Sequence, residues 1–405
     1  MNFEPLLNLE PFFNFELKNM NRILSFSLAL LISSCAFGQI NFNTGSFEEI
    51  KAMAKEENHL IFVDIYTTWC GPCKWLSANH FQDGEVGEFF NANFIAFKID
   101  AEKGDGIGFA ETYQVSAYPT LLFINGDGEL VHKGVGAPKD NQALIDLGQN
   151  ALDPESQLLT LQKRYEMGEE DPMILMNYGK ALAGAYEDAN GIAEKYFSMM
   201  PYEQIFDPES WTFLTMTITN LESDFFQRIL KDKDRLKEAH GEAVEPYFDM
   251  VFQQTIYKIA QEKDLEKLEK IKPMFQEMFH EEAKEKIDFA NFVFYSSDEG
   301  QRHHYTKIYL DNYDTGWETL NQTAWTYYEK VIDTEELKDA LAWVRKSIAE
   351  EKNYYNTDTE AHLLYKLKYW KDAKISAKQA IAVGRAAGEN VAATENLMRK
   401  IKAKK

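Results

Sequence analysis

The sequence predicts an α/β domain over residues 40–152 followed by an all-α region that runs to the C-terminus. Three observations carry that reading. Between 59 and 152, apolar runs of strand length alternate with stretches of helical period, the pattern of a sheet covered by helices. From 153 onward no strand-like alternation of any length appears, only helical periods such as LEKLEKIKPMFQEMF over 265–279. A chain of 405 residues also exceeds what one typical core organises, so two or more domains are expected.

The elements of the first domain follow in order. HLIFVDIY (59–66) is mostly apolar, as in a central strand buried on both faces. TTWCGPCKWL (67–76) comes next, and Trp75, Leu76, His80, Phe81, Val86, Phe89 and Phe90 continue at helical spacing. FIAFKID (94–100) reads as a second strand, GFAETYQV (108–115) as a short helix and YPTLLFIN (118–125) as a third strand. GDG (126–128) is a turn, ELVHKGVG (129–136) a fourth strand and NQALIDLGQNAL (141–152) a closing helix. In the all-α region, breaks are expected at Asp171-Pro172, Asp207-Pro208, Lys272-Pro273 and Asp298-Glu299-Gly300. The Asp-Pro pairs suit helix starts, with Asp as cap and Pro in the first turn.

Hydrophobic residues make up 45% of the chain and charged residues 27%, an ordinary globular composition. The net charge of −22 repels phosphate backbones and anionic membranes, which excludes nucleic acid as an expected partner. Residues 391–405 end in a basic run, Arg399 to Lys405, that reads as a solvated helix end. Residues 1–38 read as a leader, with Met20 as a natural start. ILSFSLALLI (23–32), preceded by Arg22, is too short to span a bilayer and fits the apolar region of a secretory signal. Cleavage after Ala36-Phe37-Gly38 would leave Gln39 first. Ile32-Ser33-Ser34-Cys35 instead resembles a lipobox, in which Cys35 would carry lipid and become the first residue. Either route leaves Cys70 and Cys73 as the free thiols of an exported, periplasmic chain, whose membrane contact would come only through a lipid on Cys35.

A close cysteine pair can be a redox pair, a structural staple or half of a zinc site. The staple would close a very short loop and gain little from it. Zinc needs two more ligands, and the nearest histidine, His80, falls at a packing position of the helical pattern. No metal is expected.

Residues 59–152 resemble a thioredoxin-fold domain. The resemblance is carried by Trp69-Cys70-Gly71-Pro72-Cys73-Lys74, by Asp64 six residues before the first cysteine, and by Tyr118-Pro119-Thr120. NHFQDGEVGEFFNANFIAFKID (79–100) is closer to the thioredoxin-like domain of periplasmic thiol-disulfide interchange proteins. The resemblance implies a central mixed sheet flanked by helices and a redox-active Cys70–Cys73 pair that needs no cofactor. Cys70 is expected at the exposed N-terminus of a helix, where unpaired N–H groups and the helix dipole favour a thiolate. Cys73, one turn on and less exposed, is expected to resolve the mixed disulfide. Gly71 and Pro72 form the turn, and Pro72 stiffens it. Asp64 is expected beneath the pair as the group that takes a proton from Cys73. Pro119, cis by resemblance, would offer a backbone edge to an extended substrate, with Tyr118 and Thr120 beside it and Trp69 covering the flank. The lysine that many thioredoxins carry on the next strand falls at Ala96 here, and Lys98 lies two residues on, on the same strand face.

The helical region divides into degenerate helix pairs over 153–320 and a more regular stretch over 321–390. There Lys338-Asp339-Ala340 recurs as Lys371-Asp372-Ala373, and Ile348 as Ile381. TEAHLLYKLKYWKDAKISAKQAI (359–381) resembles a tetratricopeptide unit, with Ala361, Leu364, Trp370, Ala373, Ala377 and Ala380 where that family packs its helices. Stacked pairs of this kind form surfaces that commonly bind peptides, or serve as plain support. The expected function is an exported oxidoreductase that reduces or reshuffles disulfides of other exported proteins, supplied with electrons by a membrane thiol transporter. The alternative is a protein-binding scaffold with a thioredoxin-fold adaptor.

Overall fold

The computed structural model describes residues 38–404, so Met20, Cys35 and the rest of the leader up to residue 37 lie outside the described residues. The chain forms two compact units, one ending at Thr219 and the other running from Asn220 to the C-terminus. Among the described residues, the first helix of this unit is α1 (Phe47–Glu57), which the sequence pattern does not reveal. Its local signal is a capping box: Ser46 accepts from the Glu49 N–H, and the Glu49 carboxylate accepts from the Ser46 N–H.

β1 (Leu60–Tyr66), β2 (Phe94–Asp100), β3 (Thr120–Ile124) and β4 (Leu130–Val135) form one sheet in the order β2-β1-β3-β4. β1 and β2 are parallel, whereas β3 runs antiparallel to both β1 and β4, so the sheet is mixed. Alternation sends Phe62, Ala96, Leu121 and Phe123 to one face and Ile61, Val63, Ile65, Ile95 and Leu122 to the other. α2 (Gly71–Ala78), α3 (Gly84–Asn93) and α5 (Asn141–Leu152) cover the first face through Leu76, Val86, Phe90 and Leu144. α1 and α4 (Asp105–Thr112) cover the second through Ile50, Ala54 and Phe109. The helical stretch expected after the cysteines is thus two helices. A 3₁₀ turn, His80–Gln82, separates them, and Asp83 caps α3 by accepting from Glu85 and Val86 N–H.

Further helices complete this unit: α6 (Leu158–Glu166), α7 (Pro172–Gly184), α8 (Asn190–Ser198) and α9 (Pro208–Thr217). Pro172 and Pro208 do open helices, and Asp171 caps the first by accepting from Met173 N–H. α6 has no side-chain cap from its own N-cap residue, Gln157. Its Leu158 N–H donates instead to His132 Nδ1 on β4, at 3.2 Å. Burial pushes His132 down to about 4, because a charged imidazole would lose its water. Neutral Nδ1 can accept this bond; the imidazolium cannot. His132 therefore lends stability that is full above the ordinary histidine range and is lost as pH falls from about 6.5 toward 4. The wild-type advantage over His132→Gln in urea unfolding is expected to shrink by about 2–3 kcal/mol between pH 7 and pH 4. A pH-independent difference would remove this account.

The second unit is all-helical among the described residues. It comprises α10 (Asp224–Lys231), α11 (Lys233–His240), α12 (Val244–Glu262), α13 (Leu265–Phe279), α14 (Ala283–Phe294) and α15 (Arg302–Asn312). α16 (Gly316–Lys330), α17 (Thr334–Glu350), α18 (Tyr354–Lys366), α19 (Trp370–Ala386) and α20 (Ala392–Lys402) come next. The break expected at Lys272-Pro273 is absent, because α13 runs through Pro273. Its buried face of Leu268, Ile271, Phe275, Met278 and Phe279 continues past the proline, and that packing outweighs one lost backbone bond. Ala340 and Ala373, the recurring alanines, are both fully buried in one core with Tyr327, Trp343, Leu363 and Leu364. Ala361, Ala377 and Ala380 are buried too, whereas Trp370 is half-buried. Among the described residues no helix is long and apolar enough to cross a membrane.

Candidate active site

β1 is apolar and central, so it delivers the chain after it to the end of the sheet, where α2 starts. Cys70 is the N-cap of α2 and Cys73 its third residue, with Gly71 and Pro72 forming the first turn between them. Their sulfurs are bonded at 2.07 Å, and Cys73 N–H donates to Cys70 Sγ at 3.1 Å. The expected placement at a helix N-terminus holds, but the expected exposure of Cys70 does not: both cysteines are 3% exposed. In the disulfide, Cys70 Sγ turns back into the first turn of α2 to meet Cys73 Sγ and N–H, away from solvent.

Trp69 flanks the pair, 64% exposed, and its indole N–H donates to Glu102 Oε1 at 2.9 Å. Its ring meets Tyr118 edge-on, centroids 6.0 Å apart. The Tyr118–Pro119 peptide is cis. Pro119 O accepts from Gly136 N–H at 2.8 Å, and Thr120 Oγ1 donates to Ala117 O at 2.8 Å. The structure thus brings Trp69, Cys70, Gly71, Pro72, Cys73, Tyr118, Pro119 and Thr120 together at one end of the sheet. On the other flank, His80 is buried, meets the Trp75 ring edge-on and bonds Asn141 Oδ1 and Pro138 O.

Asp64 shares the face of Phe62, the face that α2 covers, and is fully buried. The register pairs Asp64 with Lys98 across β1 and β2, and Lys98 Nζ lies 2.7 Å from Asp64 Oδ2. The lysine two positions past Ala96 therefore does reach the carboxylate. The contact is an ion pair rather than a well-directed hydrogen bond, since neither Asp64 oxygen accepts one among the described residues. Burial raises the Asp64 carboxyl above the usual range, and the Lys98 charge opposes that shift without cancelling it.

Two features at Lys98 escaped the sequence reading. Its ammonium donates to Ser77 Oγ on α2, and it sits 5.5, 4.8 and 5.2 Å from the ring centres of Phe42, Tyr66 and Phe81. Each ring face attracts the cation, and together they keep it turned toward Asp64. A cleft of about 450 Å³ opens beside this pair, lined by Tyr66, Thr67, Thr68, Cys73, Lys74, Ser77, Ala78 and Lys98. Cys73 and Lys98, the partner of buried Asp64, thus line the same cleft. Chemically, this end of the sheet offers a disulfide at a helix N-terminus, a buried carboxyl of raised proton affinity behind Lys98 and an exposed indole on the flank.

A family model described as thioredoxin-like matches residues 43–126. Thioredoxin H4 of Arabidopsis thaliana is 39% identical over 88 residues, which cover 22% of this chain and 69% of that protein. A thioredoxin H-type of Oryza sativa subsp. indica is 34% identical over 99 residues, covering 24% of this chain and 75% of the relative. A solution structure of a candidate disulphide-isomerase from Bacteroides thetaiotaomicron shares 45% identity, covers 29% of this chain and 95% of its own, and superposes with a TM-score of 0.27.

Proposed function

Because this chain belongs to the thioredoxin family, we propose that it is an exported protein-disulfide oxidoreductase working mainly as a reductase. The observation that carries this reading is the Cys70–Cys73 pair at the start of α2, with Lys98, the ion-pair partner of buried Asp64, lining the same cleft as Cys73. In the dithiol form the Cys70 thiolate attacks one sulfur of a substrate disulfide, forming a mixed disulfide and expelling the other sulfur as a thiolate, which takes a proton. Asp64 accepts the Cys73 proton through the cleft. Cys73 Sγ then attacks Cys70 Sγ, the mixed disulfide breaks and the second substrate thiol leaves. The substrate gains two electrons and the Cys70–Cys73 disulfide is restored.

Gly71-Pro72 places no histidine or cation between the cysteines, so no charge there adds to what the helix N-terminus gives the Cys70 thiolate. A thiolate without extra stabilisation favours a low, reducing potential. The leader and the Cys35 motif support a periplasmic or lipid-anchored location. Reduction there consumes electrons, and a membrane thiol transporter would return them to Cys70–Cys73. The net charge of −22 argues for protein partners over nucleic acid. The intact pair with its buried acid weighs against a pure adaptor role.

Cys73→Ser is expected to arrest the cycle at the mixed disulfide, so that non-reducing gels show exported proteins joined to Cys70, and Cys70→Ser in addition abolishes the adducts. Should Cys73→Ser capture no protein while remaining folded, the oxidoreductase reading fails. The potential of the wild-type pair is expected near about −270 mV, and a value of about −120 to −180 mV would mean an oxidase or isomerase.

A further inference from the structure

We propose that Tyr186, on the turn between α7 and α8, extends the substrate surface of the redox site and contacts the polypeptide flanking the substrate's disulfide. This rests on the oxidoreductase reading.

Tyr186 is a residue that folding alone does not ask for. α7 ends in a Schellman motif: Glu187 N–H donates to Leu182 O at 2.9 Å and Tyr186 N–H to Ala183 O at 3.1 Å. The residue between must take a left-handed conformation, and Tyr186 has φ 58°. Glycine is the economical choice there, as Gly168 and Gly388 show at the same position of two other helices. Gln114, Lys263 and Lys368 hold the same position with flexible, unbranched side chains. At Tyr186, however, a bulky ring carries that strain, and it is 69% exposed. Among the described residues its hydroxyl makes no hydrogen bond, so the ring returns nothing visible to the fold.

Its position supplies the reason. A methyl group on Gly136 would lie 3.9 Å from Tyr186 Oη. Gly136 N–H holds Pro119 O, the cis-proline follows Tyr118, and Tyr118 meets Trp69 beside Cys70. One line therefore runs from the disulfide along Trp69, Tyr118, Pro119 and Gly136 to Tyr186. The turn is fixed to the sheet, because Glu187 pairs at 3.7 Å with Lys133, a buried lysine of β4 that needs a counter-charge. The helices following the sheet thus place an exposed ring at the far end of the edge beside the cysteines. An extended substrate segment that crosses the Tyr118–Pro119 edge would present an apolar side chain to Tyr186.

The full chain, reduced and freed of reductant, is mixed with oxidised insulin or with hydroxyethyl disulfide, and single-turnover rates are read as a ratio of the two. Tyr186→Gly is expected to lower the insulin-to-hydroxyethyl ratio about fivefold or more, through weaker saturation by insulin, while its thermal midpoint holds or rises because glycine suits the left-handed position. Tyr186→Phe is expected to restore the wild-type ratio, since the ring makes the contact. An unchanged ratio in Tyr186→Gly, or a loss that Tyr186→Phe shares, overturns the proposal. Wild-type protein that reduces neither disulfide overturns the oxidoreductase reading, and this inference with it.

Discussion

Replacing Asp64 with leucine is expected to make the oxidised protein more stable by about 1–2 kcal/mol and to slow disulfide reduction by about 10²-fold at pH 7. The two effects share one cause. The carboxylate is fully buried, accepts no well-directed hydrogen bond among the described residues, and has a single ion-pair partner. The fold therefore carries a desolvation cost that the pair repays only in part. Removing the carboxylate does not strand Lys98, whose side chain is 27% exposed and keeps Ser77 and three aromatic rings. The pH dependence comes from the sign of the shift. A carboxyl raised above its unfolded value binds its proton more tightly in the folded state, so its destabilising effect grows as pH rises through that range and vanishes well below it. The leucine variant's advantage in urea unfolding should thus be present at pH 7 and shrink in acid. The rate falls because Cys73 loses its proton acceptor, an effect of general-base size. A variant with wild-type rates would mean that Cys73 gives its proton to water in the cleft. A variant less stable than wild type would mean that the ion pair holds the strands together.

Phe62→Ala is expected to cost the N-terminal unit about 3–5 kcal/mol, a large part of the stability of an ordinary domain. Phe62 is fully buried on the central strand. Its ring lies 4.6 Å from that of Phe90 and 5.4 Å from Phe123, with Phe81 and Phe42 at 6.1 and 6.2 Å. Those neighbours come from both strands and helices, so no single element can collapse into the void. Amide exchange in β1 and β3 reports on this unit alone and should accelerate by roughly 10²–10⁴-fold, with little change in α10–α20. An acceleration of less than about tenfold would mean that the surrounding rings repack into the space.

Much of this was legible from local chemistry. The apolar run of β1, the cysteines at a helix start and the proline before Thr120 each announce themselves within a few residues. α5 runs from Asn141 to Leu152, as its period indicated. Other features depended on competing local signals. Pro273 looks like a stop, yet the helix continues because its buried face does. α1 was readable only through Ser46 and Glu49, a two-residue signal in a polar stretch.

Local sequence is enough to set the sheet-and-helix pattern of the first domain, the cysteine pair at the head of α2 and the helical character of the remaining chain. These depend on periodicity and on caps, which act between residues a few positions apart. Only the folded chain brings Lys98 across from Asp64, sets Ser77 and three rings around it and places Tyr186 beside Gly136. Each of these joins residues far apart in the chain. A strand's own pattern fixes which face a side chain takes, but only its pairing register fixes which partner it meets.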